Sequence, residues 1–118
     1  MDKQPYLEFD SDDTKLKFKH HLEFKSSEEM NIMFEDDNKP LSDLIVDIAL
    51  ENLDTTIESI PVVSIATIED DLIYDVIIDR IDMVETLEQN LILMEDFEDY
   101  GRCQKITDAL FYLNNNER

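Results

Sequence analysis

The side chains in this sequence whose spacing could support chemistry are carboxylates, which recur three or four residues apart in two sets. The first set is Asp43, Asp47, Glu51, Asp54 and Glu58; the second is Asp71, Asp75, Asp79 and Asp82, with Glu85 close by. Acid–base catalysis needs a cleft that moves the pKa values of two acids apart, and a ladder of similar acids provides none. The spacing therefore favours a binding surface over an active site.

Helical geometry would place each set on one face. At about 100° per residue, spacings of three and four keep all members within one stripe, so we predict two helical rows of carboxylates. The sets also align at an offset of 28 residues, which indicates either a duplicated helix or two independent amphipathic helices. Like charges four residues apart destabilise a helix, so each row is either a solvated face or a surface for a basic partner.

The charge balance limits the classes of partner. The chain has 118 residues with 30 acidic and 10 basic side chains, a formal charge of −20, and residues 40–101 contain 17 acids and one base, Arg80. This composition excludes direct nucleic-acid binding through phosphate contacts and disfavours anionic membranes. The expected partner is the basic surface of a protein, such as a nucleic-acid-handling enzyme.

Single residues exclude further functions. One glycine, Gly101, rules out a glycine-rich phosphate loop, and one cysteine, Cys103, rules out an internal disulfide or a thiolate zinc site. His20 and His21 would point to opposite faces of a strand and could not bind one metal ion together. We expect no catalytic residues, no cofactor and no metal site, and a cytoplasmic location for a chain with a lone thiol.

The hydrophobic pattern predicts an α+β fold in one domain, with a β part over residues 1–37 and a helical part over 41–114. Residues 15–25 alternate strictly, Met30, Ile32 and Phe34 form a second alternating run, and residues 6–9 are a weaker third. These segments predict a short antiparallel meander over about residues 5–35.

Three helices are expected after the meander. The first covers residues 41–60 and is ended by Pro61, the second covers about 68–95, and the third covers about 99–114. Residues 62–68 are rich in β-branched side chains and are either a strand or the start of the second helix. The second helix would be apolar around most of its circumference, so it is covered either by the meander and the other helices or by a second copy of the chain. Of the two, we favour a homodimer.

A local resemblance concerns the C-terminal part of the chain. Residues 99–110 read Asp-Tyr-Gly-Arg-Cys-Gln-Lys-Ile-Thr-Asp-Ala-Leu, with Gln104 where a small residue is usual and Thr107 in place of an arginine. Residues 83–113 thereby resemble the UVR helical hairpin of the UvrB and UvrC repair proteins. That resemblance implies an element for protein–protein contacts; the alternative is a plain antiparallel helix pair turning at residues 96–99.

Two functions follow from these patterns. In the first, the protein is non-catalytic and its carboxylates occupy a basic, nucleic-acid-binding surface of a partner, as a nucleic-acid mimic, nuclease inhibitor, anti-restriction or immunity protein of phage or bacterial type would. In the second, it is a small structural adaptor, assembly or chaperone-like subunit that docks through apolar helix surface, and its charge serves solubility.

Overall fold

The computed structural model describes residues 17–116, which form a three-stranded sheet and four helices. The α+β class predicted from the sequence is confirmed. A 3₁₀ turn, Arg80–Asp82, joins the last strand to the third helix. The elements in chain order are β1 (His21–Phe24), α1 (Ser27–Asp36), α2 (Lys39–Glu51), β2 (Ser59–Thr67), β3 (Leu72–Asp79), α3 (Met83–Asp96) and α4 (Tyr100–Asn116).

The sheet has the order β1-β2-β3. β1 runs parallel to β2, with α1 and α2 in the connection between them, and β3 returns antiparallel to β2. The predicted antiparallel meander is therefore wrong for the part that the structure describes. The alternating run over residues 15–25 contributes only the four residues of β1, and residues 5–16 lie outside the described range.

Helix α1 replaces the predicted strand that contained Met30, Ile32 and Phe34. The Ser26 hydroxyl accepts a hydrogen bond from the Glu29 N–H at 3.1 Å, and the Glu29 carboxylate accepts one from the Lys25 N–H at 2.6 Å. These bonds satisfy N–H groups at the start of the helix. Met30 and Phe34 then share a helix face and pack against the core, whereas Ile32 is 52% exposed.

The predicted helix over residues 41–60 is wrong in its second half, because α2 ends at Glu51. The Asn52 side chain donates to the Ile48 carbonyl at 2.8 Å, and the Arg80 guanidinium donates to the Asn52 carbonyl at 2.7 Å. Carbonyl groups at the helix end are satisfied by these side chains, so the chain can turn well before Pro61.

The predicted helix over residues 68–95 is wrong in its first half. Residues 59–67 form β2, which decides the open assignment of 62–68 in favour of a strand for residues 62–67. A turn follows, in which Asp71 has a φ of 55°, and residues 72–79 return as β3. Helix α3 begins only at Met83, while α4 at residues 100–116 matches the predicted last helix closely.

The core lies between one face of the sheet and the helices. Helix α2 packs on β2, α3 packs on β3, and α4 packs on α3 and α2. Among residues 17–116, no helix combines the length and the apolar composition that a membrane span requires. The completely or almost completely buried side chains come from β2 and from all three of these helices: Ile60, Val62, Val63, Val46, Met83, Leu87, Met94 and Ile106.

Candidate partner-binding surface

The α2 carboxylates lie beside α4. The Arg102 guanidinium of α4 donates to both carboxylate oxygens of Asp47, at 3.0 and 2.8 Å. The Lys39 ammonium at the start of α2 donates to both oxygens of Asp43, at 3.0 and 3.1 Å, and Arg102 also lies 3.5 Å from Asp43. Two of the predicted partner-binding acids are thus bound within the molecule.

Asp99 joins these two pairs. Its Oδ1 accepts a hydrogen bond from the Arg102 backbone N–H at 3.2 Å, which caps the start of α4. Its Oδ2 accepts from Arg102 at 2.8 Å and from Lys39 at 3.0 Å. We call Lys39, Asp43, Asp47, Asp99 and Arg102 the ion-pair network, which links α2 to α4.

Hydrogen bonds within the network shift the pKa values of Asp99 and Arg102. Hydrogen bonds from Arg102 and Lys39 hold the pKa of Asp99 well below its ordinary value. The carboxylates of Asp47 and Asp99 raise the pKa of Arg102 above its ordinary value. Each shift favours the charged form, so Asp99 and Arg102 stay ionised at neutral pH.

Of the other three acids of the first set, Glu51 is still in α2, and Asp54 and Glu58 are not. Glu51 is exposed at the end of α2, Asp54 lies in the turn after it, and Glu58 lies in the loop before β2. The Tyr112 hydroxyl of α4 donates a hydrogen bond to Asp54, and this bond raises the pKa of Tyr112. The predicted five-residue row is therefore wrong beyond Glu51, because α2 stops there.

The second set does not form a helical row. Asp71 lies in the β2–β3 turn, Asp75 and Asp79 lie on β3, Asp82 ends the 3₁₀ turn and Glu85 lies in the first turn of α3. We call these five residues the edge carboxylates.

Both β3 acids face neighbouring serines. The Ser64 hydroxyl of β2 donates to Asp75 at 2.9 Å, and the Ser59 hydroxyl donates to Asp79 at 3.4 Å. Because side chains alternate between the faces of a strand, acids four residues apart share a face here, as they would on a helix.

No cation of residues 17–116 forms an ion pair with an edge carboxylate. Arg80, which follows β3 directly, donates instead to the carbonyls of Ile57 at 3.1 Å and Asn52 at 2.7 Å, and to the Thr55 hydroxyl at 2.7 Å. The guanidinium therefore holds the loop between α2 and β2, and no cation of the described part of the chain compensates the negative charge of the edge carboxylates.

A second surface feature is a groove of about 390 Å³ between the end of α2 and α4. Its apolar lining includes Leu50, Leu53 and Ala109, and its polar rim includes Asp54, Lys105 and Asp108. Phe111, which is 72% exposed, lies on the same helix as the α4 side of the groove.

The remaining groups that could do chemistry are metal-binding side chains and the thiol of Cys103. Within residues 17–116, no three His, Cys, Asp or Glu side chains are grouped so that they could bind a metal ion. Cys103 is partly exposed, and burial together with the charges of Glu95 and Asp99 raises the pKa of its thiol. The thiol is therefore protonated at neutral pH and is a weak nucleophile.

The sequence analysis missed the roles of Lys39 and Arg102. Both lie just outside the acidic segment 40–101, which was treated as carrying a single cation. A local signal existed, because Lys39 precedes Asp43 by four residues and Asp99 precedes Arg102 by three, and both spacings permit ion pairs at a helix surface.

Comparison with known proteins gives no match. No protein-family model, no curated protein and no solved structure is similar to this chain.

Proposed function

We propose that this protein is a non-catalytic binding protein whose edge carboxylates occupy a basic surface of a partner protein. The observation that carries the proposal is the absence of ion pairs between these five acids and any cation of residues 17–116. Uncompensated surface charges steer a partner of opposite sign and select against partners of like sign. The charge of −20 makes a nucleic-acid-binding protein the class that fits best.

The two sets of acids differ in how much of their charge a partner could reach. Asp43 and Asp47 already bind Lys39 and Arg102, so a partner would have to displace an internal cation to reach them. Asp75 and Asp79 accept only serine hydroxyls from the described residues, which leaves their full negative charge for a partner. The partner should therefore contact β3 and the segment after it.

Capture of partners from a cell lysate tests this proposal. The test variant carries Asp75→Asn, Asp79→Asn, Asp82→Asn and Glu85→Gln, and the control variant has the same net charge through Glu35→Gln, Asp36→Asn, Glu95→Gln and Asp96→Asn. Capture at about 0.05 M salt should persist in the control and fail in the test variant, and it should weaken steeply at about 0.5 M salt. Duplex DNA should elute a nucleic-acid-binding partner.

Two results would contradict the proposal. One is equal capture by the test and control variants, which would mean that the edge carboxylates do not contact the partner. The other is capture that is insensitive to salt, because a contact between exposed charges must weaken when ions screen it.

The groove between α2 and α4 favours a second candidate function, that of an adaptor that docks an apolar segment of a partner. The apolar part of its lining comes from Leu50, Leu53 and Ala109. Helix α4, which forms one side of the groove, also carries the exposed Phe111. Tyr112→Ser, a change at a residue that lines the groove, should then abolish capture, whereas Phe111→Ser, a change at an exposed residue of the same helix outside the groove, should not. Capture that survives Tyr112→Ser would remove this candidate.

A further inference from the structure

The outer edge of β3 is an eight-residue strand edge without a neighbour among residues 17–116. The sheet ends at β3, since β2 is the one described strand that pairs with it. An exposed edge presents a row of unpaired N–H and C=O groups, which is a template for one further strand. Edge strands often carry charged side chains, a proline or a bulge. β3 has no proline, the register shift in its pairing with β2 lies on β2 between Pro61 and Val63, and its charged side chains are aspartates.

The backbone geometry shows which groups face outward. The Arg80 N–H donates to the Glu58 carbonyl at 2.7 Å, so residue 80 faces β2. Backbone direction alternates along a strand, and the even-numbered residues of β3 therefore bond to β2 while the odd-numbered ones face outward. Pro61, which has no N–H, lies opposite Ile77, an outward-facing position, and this agrees with the assignment.

Side chains divide along the same alternation. The face of β3 away from the helices reads Ile73, Asp75, Ile77 and Asp79, and Asp71 continues it in the turn. The opposite face reads Leu72, Tyr74, Val76 and Ile78, of which Ile78 is buried in the core. The Tyr74 hydroxyl lies 3.2 Å from the Ser27 hydroxyl of α1, a contact that holds the strand in place.

We propose that an extended, basic segment of a partner protein pairs with β3 as a fourth strand. This inference rests on the proposed function and specifies its geometry. Main-chain hydrogen bonds to the outward groups of Ile73, Asp75, Ile77 and Asp79 would supply affinity, and alternate side chains would supply specificity. Lysine or arginine residues four positions apart would lie opposite Asp75 and Asp79, with an apolar or threonine residue between them opposite Ile77.

Charge selects this occupant over a second copy of the chain. In an antiparallel pair of two β3 strands, one register places Asp75 opposite Asp75 and Asp71 opposite Asp79. Shifting that register by two residues places aspartates on the diagonal, where side chains on one face are still within reach. Self-pairing therefore brings like charges together in each of these registers, whereas a basic strand forms opposite-charge pairs at the same positions.

A synthetic peptide of about nine residues tests the inference. It alternates valine and threonine and carries two lysines four positions apart; the matched peptides have glutamate in place of lysine, or N-methyl groups on the backbone that faces β3. The lysine peptide should bind the full-length protein about tenfold more tightly than either control peptide, and Asp75→Asn with Asp79→Asn should weaken it about tenfold. The amides of Ile73, Asp75 and Ile77 should exchange more slowly in the complex.

A protein variant provides a second, independent measurement. Ile77→Pro removes an outward N–H and places a ring in the path of the added strand, but it removes no bond to β2. Ile77→Thr keeps the N–H and a β-branched side chain. The proline variant should no longer bind the lysine peptide, and the threonine variant should still bind it. The circular dichroism spectra of both variants should match that of the wild type. If the proline variant unfolds, the N-methyl peptide still decides the question.

The outcomes separate this inference from the proposed function. If the charge variants lose partner binding but the N-methyl peptide and Ile77→Pro have no effect, the partner contacts side chains only and strand addition is wrong. If charge has no effect either, the proposed function also fails. A protein that dimerises, and whose dimer is lost in Ile77→Pro while no peptide binds, would make a second copy the occupant. Peptide binding only after Leu7→Pro would make residues 6–9 the occupant.

Discussion

The two sets of carboxylates have nearly the same spacing in the sequence, but they have different partners in the structure. In the ion-pair network, Asp43, Asp47 and Asp99 surround Lys39 and Arg102 and connect α2 to α4. The edge carboxylates contact no cation of residues 17–116. A row of acids therefore predicts a binding surface only when the positions of the cations around it are known.

The ion-pair network should contribute more to stability than an ordinary surface ion pair, because its side chains are partly buried. The side chains of Asp99 and Arg102 are 19% and 26% exposed, and Arg102 forms a two-bond contact with Asp47. Exposed single ion pairs contribute about 0–1 kcal/mol, and networks with good geometry contribute more. The edge carboxylates repel one another at the surface and should contribute nothing favourable to folding.

The largest expected effect comes from removing the shared cation. Arg102→Gln removes the ion pair of Asp47 and leaves Asp43 and Asp99 with Lys39 alone. We expect the free energy of unfolding to fall by about 2 kcal/mol in urea denaturation. Lys105→Gln, one turn away on α4 and outside the network, should change it by less than about 0.5 kcal/mol. Equal effects of the two variants would show that the network does not stabilise the helix pair.

Removing two acids of the network should have a smaller effect. Asp43→Asn with Asp47→Asn should lower the free energy of unfolding by about 1 kcal/mol, because three ion pairs are lost while Asp99 still binds both cations. The same variant should bind a partner of the edge carboxylates with unchanged affinity. A variant that folds with full stability but loses the partner would place the binding surface on α2 instead.

The pH dependence tests the contribution of Asp99. Its pKa is lowered in the folded state, so its stabilisation is complete above the ordinary carboxyl pKa of about 4 and is lost as the pH falls below that value. Asp99→Asn keeps a side chain that can cap α4 but cannot ionise. The difference in free energy of unfolding between wild type and Asp99→Asn should shrink as the pH falls from 5 towards 2. A constant difference would contradict the ion pairing.

The smallest effect on stability is expected at the edge. Asp75→Asn with Asp79→Asn should raise the free energy of unfolding by no more than a few tenths of a kcal/mol, because it removes repulsion and breaks no ion pair with a described residue. The gain should disappear in high salt. A clear loss of stability would mean that these acids have a structural role like that of Asp47.

Two errors of the sequence analysis, the helix predicted at β3 and the strand predicted at α1, share one physical cause. A spacing of four residues places side chains on the same side of a helix, where it is close to one turn, and on the same side of a strand, where it is an even number. Asp71, Asp75 and Asp79 therefore fit both structures, and so do Met30 and Phe34. Other residues distinguish a helix from a strand at these positions. The β-branched side chains of β3 favour a strand, and Ser26 with Glu29 favours the start of a helix.

Local composition and periodicity were enough to predict the net charge, the α+β class, the helical face of Asp43, Asp47 and Glu51, and the position of α4 to within two residues. Which carboxylates form ion pairs depends on how the helices and strands pack. Arg102 lies 55 residues from Asp47 along the chain, and the two come within hydrogen-bond distance because α4 packs on α2. Arg80 is adjacent to Asp79 in sequence, yet its guanidinium binds the Asn52 carbonyl, just after the end of α2, and the Ile57 carbonyl in the loop before β2.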